Sequence, residues 1–401
     1  MNLSLVRWID IYIGIPLLYL VSFLKKITRS KHNLNIGEDY KKILLAKFWG
    51  IGNVIMLLPA AQALKEKYPD AQLDFLTLFG NKEASKAANI FDNIYTIDIK
   101  DFSKFIITLL KNLGVLRNRD YDLIIDFEQF ARFSVLFCSL IGKKNIIGFN
   151  TKDQHRHFLY TNSTIYNNHI HITKSFYSLA EFVGAVHKDY IRATPIVCEQ
   201  YDIYKMEKKL CDFGICKEDV LIILHVGTSE NFCLRRWPQE YFAGLADMLI
   251  DHFAVKIIFT GLLNEAMLVE KTMGYMKNKE MAINVSGELS FNQFISLIKL
   301  SNLVISADTA PIHLASCLLV PVVGLYGPNT PFLYGPWGNY SMWFYKNLDC
   351  SPCITNYNAK INKCRHPEGE GACMRKISVD EVFFGIKNNY FGSNVQFRLK
   401  K

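Results

Sequence analysis

The chain has 401 residues, of which 50% are hydrophobic and 21% are charged. These proportions exclude an intrinsically disordered chain, and the length predicts two or three folded units. The formal net charge is +9, from 46 basic and 37 acidic residues. Because no arginine-rich patch or nucleic-acid motif accompanies this charge, no nucleic-acid partner is predicted.

The positive charge is concentrated at the start of the chain, beside an apolar run. Residues 1–42 contain seven basic and three acidic residues, a net of +4, and the 14 residues 11–24 contain neither kind. A helix needs roughly 20 apolar residues to cross a bilayer, and Pro16 is expected to kink this one. Residues 1–38 are therefore predicted to embed in one leaflet and to face anionic lipid at the cytoplasmic side of the inner membrane. The alternative is an ordinary buried helix.

From residue 39 to 195, short β-branched runs alternate with helical patterns and predict an N-terminal Rossmann-like domain. Strands are predicted at 42–48, 72–78, 93–98, 121–127 and 144–149. Helices are predicted at 53–67, 82–90, 101–116 and 130–141. This alternation indicates a parallel sheet that helices cover on both faces. Residues 150–175 lack a strong periodicity.

A second alternating series predicts a C-terminal Rossmann-like domain over 196–345, joined to the first near 190–215. Strands are predicted at 220–226, 255–261, 282–287, 302–307 and, last, 320–327. Helices are predicted at 238–252, 264–277, 290–300 and 310–319. Residues 346–401 form a cysteine-containing tail with a C-terminal helix. Ligands of such sheets bind beyond the carboxyl ends of the strands, which predicts a site in a central cleft between the two domains.

Four segments carry the functional signal. They are AKFWGIGNVIMLLPAAQALKEKYPDA (46–71), LHVGTSENFCLRRWP (224–238), FTGLLNE (259–265) and ISADTAPIHLASCLLVPVVGLYGPNTP (305–331). In this order they resemble glycosyltransferase family 9, whose best-known members are the ADP-heptose transferases of lipopolysaccharide core. The resemblance implies a GT-B fold, an N-terminal acceptor domain, a C-terminal nucleotide-sugar domain, and inverting transfer without a catalytic metal.

The strand at 302–307 is predicted to deliver Asp308 and Thr309 to the N-terminus of a helix. Backbone N–H groups and the helix dipole suit a diphosphate at that position. Asp308 is itself anionic, so it is expected to face sugar hydroxyls or to cap the helix. The resemblance implies that this segment holds the sugar and diphosphate of the donor, with His313 nearby. The alternative is a plain N-cap, which aspartate favours.

Arg235 lies where the family has a basic residue before Trp-Pro. A fixed cation there can neutralise the leaving diphosphate, and Thr228 and Ser229 supply hydroxyl groups in the same loop. Glu265, which follows Gly261, matches a family acid that contacts the ribose of the nucleoside. The alternatives are a surface arginine and an exposed glutamate at the start of a helix.

The N-terminal loop departs from the family pattern on the acceptor side. Where the family has Gly-Asp, with the aspartate as general base, this chain has Gly52 and Asn53. An asparagine amide does not take up a proton at neutral pH. Either Asn53 only orients the acceptor, or transfer is lost, or another base acts. Glu128, two positions after Asp126, replaces a neutral family residue and is the candidate base; a solvated acid at a strand end is the alternative.

The remaining acceptor contacts are predicted from a basic stretch over 152–174. In the family this region faces an anionic, lipid-linked glycan, so Arg156 is assigned to acceptor binding together with Gly52 and Asp126. A solvated loop is the alternative for each residue of the stretch.

Four of the ten cysteines lie close together near the C-terminus: Cys350, Cys353, Cys364 and Cys373. Their spacing, with one C-x2-C pair, is compatible with a structural zinc ion, and His366 is a further candidate ligand. Free thiols and a redox-sensitive clip are the alternatives. The other six cysteines lie in apolar or mixed segments and are expected to be reduced, as in a cytosolic protein.

The first interpretation is a glycosyltransferase that needs no cofactor and moves a sugar, most simply heptose from ADP-heptose, onto a lipid-anchored core glycan. Two other interpretations stay open. One is a nucleotide-sugar epimerase or hydrolase on the same fold, and the other is a donor-binding protein that has lost transfer because of Asn53.

Two substitutions test the identity of the base. If position 53 still serves catalysis, Asn53→Asp raises turnover, because it restores a carboxylate that accepts the acceptor proton. If the base has moved, Glu128→Gln abolishes turnover. A transfer assay measures both, and two variants with unchanged rates would exclude both positions.

Overall fold

The structure, a computed structural model, describes residues 3–28, 39–142, 145–186, 196–338, 340–354 and 364–391. The chain divides into two compact units, unit 1 (Met1–Val197) and unit 2 (Cys198–Lys401). Each unit contains a six-stranded sheet in which every neighbouring pair of strands is parallel. The α/β class with two Rossmann-like sheets is thereby confirmed.

Unit 1 has its strands in the order β3-β2-β1-β4-β5-β6. The strands are β1 (Lys42–Ala46), β2 (Gln72–Leu78), β3 (Asn93–Ile97), β4 (Leu123–Asp126), β5 (Asn145–Asn150) and β6 (Asn162–Ile165). The helices are α1 (Leu3–Tyr12), α2 (Gly14–Thr28), α3 (Ile51–Lys67), α4 (Lys82–Ala87), α5 (Phe102–Arg117), α6 (Arg132–Ile141) and α7 (Ile172–Phe182).

Apolar packing places the helices of unit 1. Leu18 of α2, Leu116 of α5 and Val135 of α6 are buried in one cluster with side chains of the sheet, while α3 packs against α7. Gly50 has a φ of +85°, and this left-handed conformation, which glycine adopts without strain, turns the chain from β1 into α3.

Unit 2 has its strands in the order β12-β11-β10-β7-β8-β9. The strands are β7 (Leu221–His225), β8 (Lys256–Thr260), β9 (Ala282–Asn284), β10 (Leu303–Ala307), β11 (Val322–Tyr326) and β12 (Ser341–Tyr345). The helices are α8 (Gln200–Asp212), α9 (Gln239–Phe253), α10 (Ala266–Gly274), α11 (Phe291–Leu300), α12 (Ala310–Cys317), α13 (Pro331–Tyr334), α14 (Ala372–Arg375) and α15 (Val379–Tyr390).

The structure adds elements that the sequence pattern did not reveal. Strands β6 and β12 lie at the edges of the two sheets and their residues are mostly half-buried, so they lack the continuous apolar run of a central strand. The strand predicted over 320–327 is therefore not the last. Helix α8 lies inside the predicted junction and packs against α11 of unit 2.

The N-terminal segment is interrupted in the turn that precedes Pro16. The helices α1 and α2 meet at Ile13, and Pro16 lies in the first turn of α2. A first-turn proline has no N–H that the helix needs, and its fixed φ suits the position. The interruption expected from Pro16 is therefore observed, because a proline at position 16 cannot donate to the Tyr12 carbonyl oxygen and α1 ends at Tyr12.

A histidine of the second sheet makes stability depend on pH. The Nδ1 atom of His225 lies 3.0 Å from Oγ1 of Thr260, and burial lowers the pKa of His225 from 6.5 to about 4. Between these values the unfolded chain binds a proton that the folded chain does not, so stability falls as the pH is lowered through this window.

We expect His225 to account for a loss of about 2–3 kcal/mol in the free energy of unfolding between pH 7 and pH 4. Urea unfolding across this pH range measures the loss. The variant His225→Asn cannot titrate and should show a shallower decline. Parallel pH profiles for the variant and the wild type would contradict the assignment.

Candidate functional site

Unit 2 gathers polar side chains at the carboxyl ends of three neighbouring strands. Thr228 follows β7, Glu265 follows β8 and Asp308 follows β10. The strands β10, β7 and β8 are adjacent and parallel, so these residues lie at one edge of the sheet, where ligands of such folds bind.

Arg235 is held at this edge by an ion pair. Its Nη1 lies 3.2 Å from Oδ2 of Asp308 and donates to the Asp308 carbonyl oxygen at 3.3 Å. Asn329 Nδ2 donates to the same Oδ2 at 2.7 Å, and the guanidinium lies over the Phe232 ring, 4.4 Å from its centroid. The Nε of Arg235 makes no hydrogen bond within the described residues. The side chain is therefore fixed, and because it is 20% exposed, part of its guanidinium can meet an anion.

Helix α12 begins next to this ion pair. Thr309 is its N-cap residue, and the Thr309 hydroxyl lies 2.8 Å from Oγ of Ser306 instead of capping the helix. Asp308 does not cap it either, because its carboxylate is taken by Arg235 and Asn329. The plain N-cap alternative is therefore wrong for Asp308.

His313 lies further along α12, inside the unit. It is buried and its ring is stacked with that of Trp337, with centroids 5.8 Å apart. The structure therefore brings Arg235, Asp308 and Thr309 together and places His313 one turn along the helix, against an aromatic ring.

The loop after β7 is held by hydrogen bonds from Arg236, a residue to which the sequence motifs gave no role. Arg236 Nε donates to Thr228 Oγ1 at 3.1 Å, and Nη2 donates to the Thr228 carbonyl oxygen at 3.2 Å. Thr228 is consequently buried, whereas Ser229 is exposed. The sequence offered a sign of this role, because two arginines precede Trp-Pro and only Arg235 was assigned to the donor site.

Glu265 faces the backbone of its own loop. Its Oε2 accepts a hydrogen bond from the N–H of Leu262 at 2.7 Å, and the side chain is buried. A side-chain carbon at Gly227 would overlap the carboxylate, so the glycine makes room for it. The exposed-glutamate alternative is therefore wrong, and the contact with ribose stays a prediction.

In unit 1, Asp126 and Arg156 form a buried ion pair instead of an acceptor surface. Arg156 Nη2 donates to Asp126 Oδ2 at 2.7 Å, and both side chains are 0% exposed. The same Oδ2 accepts from Tyr160 at 2.7 Å and from Ser134 at 2.8 Å. Burial raises the pKa of Asp126, while Arg156 and the two hydroxyl groups oppose this rise. Neither residue touches solvent, so direct acceptor contact is corrected to a structural role.

Glu128 also lies inside unit 1. Its Oε1 accepts from the N–H groups of Phe48 and Trp49 at 2.7 and 2.8 Å, and its Oε2 lies 2.9 Å from Nζ of Lys47. Burial lowers the pKa of Lys47, and the Glu128 charge opposes that shift. The solvated-acid alternative is wrong, because the Glu128 side chain is only 4% exposed, and its role as the base stays a prediction. It holds the turn between β1 and α3.

Asn53 and Gly52 lie in the first turn of α3, next to that turn. The Asn53 Nδ2 donates to the Trp49 carbonyl oxygen at 3.1 Å, and its Oδ1 has no hydrogen-bond partner within the part of the chain that the structure describes. The amide is thus oriented by its own loop and retains one acceptor atom.

The four C-terminal cysteines line one cavity of about 250 Å³, together with His366. All four are free thiols, and burial raises the pKa of Cys353 and raises that of Cys373 to about 12. In the described ranges, no three His, Cys, Asp or Glu side chains are arranged to bind a metal ion. Structural zinc stays a prediction.

The role of Glu128 is open to a stability test. Glu128→Gln leaves the Lys47 ammonium buried without a countercharge, so we expect the free energy of unfolding to fall by about 3 kcal/mol. The double variant Lys47→Met/Glu128→Gln should recover part of this loss. Urea unfolding measures both. The exposed Glu181→Gln of α7 is the matched control, and a stable Glu128→Gln protein without turnover would instead restore Glu128 as the base.

Comparison with known proteins assigns the family. Residues 110–363 match the model of glycosyltransferase family 9 (heptosyltransferase). Lipopolysaccharide core heptosyltransferase OpsX of Haemophilus influenzae is 26% identical over 331 residues, 80% of this chain and 87% of that protein.

Two solved structures share the fold. The family 9 glycosyltransferase of Veillonella parvula has a TM-score of 0.75 at 20% identity and covers 89% of this chain and 98% of its own. The E. coli heptosyltransferase WaaC with ADP has a TM-score of 0.64 at 17% identity, over 87% of this chain and 100% of its own. With more than half of its length matched by the family model, this chain belongs to glycosyltransferase family 9 and is a glycosyltransferase.

Proposed function

We propose that this chain transfers a heptose from ADP-heptose onto a lipopolysaccharide core or a similar envelope glycan. The relative OpsX is named as a lipopolysaccharide core heptosyltransferase, and WaaC, which shares the fold, was solved with ADP. The observation in this chain that carries the proposal is the Arg235–Asp308 pair at the start of α12.

In this proposal Arg235 stabilises the leaving diphosphate. Negative charge develops on the phosphate oxygen as the bond to the sugar breaks, and a fixed guanidinium beside a helix N-terminus lowers the energy of that charge. The Arg235 side chain is 20% exposed, which leaves part of the guanidinium open to the diphosphate. Both described partners of the Asp308 carboxylate bind Oδ2, which leaves Oδ1 to accept a hydrogen bond from a sugar hydroxyl.

The acceptor is assigned to unit 1. Asn53, half-buried in the first turn of α3, would orient the attacking hydroxyl, whose proton would pass to water or to the leaving diphosphate, and Glu128 would keep the loop in place. We further propose that the reaction inverts the anomeric configuration and requires no metal, because Arg235 supplies the positive charge. Product NMR and an assay with and without EDTA test these two statements.

The lipid-linked acceptor places the reaction at a membrane surface. We assign the chain to the cytoplasmic face of the inner membrane, with residues 1–38 as the associating segment. The positive charge of residues 1–42 agrees with anionic lipid on that side.

Donor choice is tested by thermal unfolding of the full chain with ADP-, UDP-, GDP- and dTDP-sugars. ADP-heptose should raise the melting temperature most, since a bound ligand stabilises the folded state. Arg235→Ala should abolish this shift and reduce transfer on the order of 100-fold. Lys271→Ala removes an exposed cation of unit 2 and should change neither.

A transfer assay with extracted envelope glycolipid separates the remaining interpretations. Radiolabelled heptose that appears in the glycolipid supports the proposal. Release of free or epimerised sugar from donor alone would indicate a hydrolase or an epimerase. Stabilisation by donor without transfer to any extracted glycan would indicate a binding protein.

A further inference from the structure

Helix α2 is apolar on two opposite sides. In α2, Gly14, Leu18 and Ser22 are buried, and this spacing of four residues marks the face that packs on the rest of unit 1. On the other side, Leu17, Leu20, Phe23 and Leu24 are between 42% and 62% exposed. A surface helix of a soluble protein normally places polar residues there.

The buried face of these helices is tied to unit 1 by polar contacts as well as by packing. Asp10 Oδ2 lies 2.9 Å from Arg132 Nη1, and Asp10 Oδ1 accepts from the backbone N–H groups of Arg132 and Phe133 at 2.8 and 3.3 Å. A carboxylate from α1 thus caps the N-terminus of α6. Ser22 Oγ donates to the Phe158 carbonyl oxygen at 3.4 Å.

This attachment distinguishes a surface anchor from a transmembrane span. The stretch Trp8–Lys25 is long and apolar enough to cross a membrane by length and composition, but α1 ends at Tyr12 and α2 begins at Gly14. A spanning helix is surrounded by lipid or by other spanning elements. Here one face of α2 is covered by α6 and by the turn at Arg156–Leu159, so only the opposite face is open to lipid.

The outward residues match the layers of a bilayer interface. Trp8 and Tyr12 of α1 and Tyr19 of α2 are about half exposed and combine an apolar ring with a polar tip, as residues at the headgroup level do. Tyr19 also lies beside Phe158, with ring centroids 5.5 Å apart, and Phe158 is 43% exposed. Residues 11–37 contain three lysines and one arginine and no acid, which complements anionic lipid.

From these contacts we infer that α1 and α2 form a one-sided docking face that lies in the plane of an anionic bilayer. The docking face consists of the outward residues Trp8, Tyr12, Leu17, Leu20, Phe23 and Leu24. Its aliphatic side chains enter the acyl region, and Asp10 and Ser22 keep the opposite face on unit 1. The membrane location rests on the proposed function, but docking is measured by binding alone, so the two succeed or fail separately.

Flotation of the full chain with vesicles of phosphatidylethanolamine and phosphatidylglycerol tests the docking face. Leu20→Glu/Phe23→Glu should lower binding on the order of 100-fold, because two apolar groups that enter the acyl region are replaced by charges that anionic lipid repels. Both positions are exposed, so thermal unfolding and donor-induced stabilisation should stay at the wild-type level. The matched control is Leu319→Glu/Phe384→Glu, which makes the same change at exposed residues of unit 2 and should bind normally.

Protease accessibility separates in-plane docking from spanning. Tags at both ends of the chain should resist protease added to intact spheroplasts and should be cleaved in inverted membrane vesicles. Cleavage of the N-terminal tag in spheroplasts would overturn the inference in favour of a span. Normal vesicle binding by Leu20→Glu/Phe23→Glu, or equal loss in the control variant, would also overturn it.

Discussion

Unit 1 depends on two charged pairs that are buried at the end of β4. A carboxylate removed from water costs several kcal/mol unless a cation and hydrogen bonds compensate it, and Arg156 and Lys47 provide that compensation for Asp126 and Glu128. The four partners come from the residue after β1, from the end of β4 and from the turn after β5, so the pairs fix segments that are distant in the sequence. The polar edge of this sheet is therefore positioned by electrostatics as much as by apolar packing.

Unit 2 uses the same kind of pair in a more open setting. The Arg235 and Asp308 side chains are 20% and 6% exposed, whereas those of Arg156 and Asp126 are 0% exposed. The Arg235–Asp308 and Arg156–Asp126 pairs have the same donor and acceptor groups, and they differ in how exposed they are to solvent. The Arg156–Asp126 pair maintains the loops of unit 1, whereas the Arg235–Asp308 pair keeps a cation oriented at the start of α12, where an anion can reach it.

The fold could be read from the sequence where burial is complete. Central strands such as β1, β7 and β10 are buried on both faces, and they therefore appear as uninterrupted apolar runs. The edge strand β6 is polar and mostly half-buried, so its sequence has no hydrophobic pattern that predicts a strand.

The site was predictable only in part, for a related reason. Motif positions identified Arg235 and Asp308, and the structure joins them in one ion pair. The sequence did not show which charged side chains are buried, because a charged residue next to an apolar strand is equally compatible with an exposed ligand contact and with a buried ion pair. Arg156 lies 30 residues after its partner Asp126, and Lys47 lies 81 residues before Glu128. These partners become evident only when the strands are assembled.

The carboxylate of Asp10, which caps the start of α6, is a reason to keep the N-terminal helices when a folded sample is prepared. A shortened chain that begins after α2 would leave α6 without its cap and the Arg132 guanidinium without its carboxylate partner. It would also uncover the apolar surface that Leu18 covers. Deletion of α1 and α2 would thus remove one exposed apolar surface and expose another. Mild detergent, with the whole chain retained, is the better route to a monodisperse sample for crystallisation or cryo-microscopy.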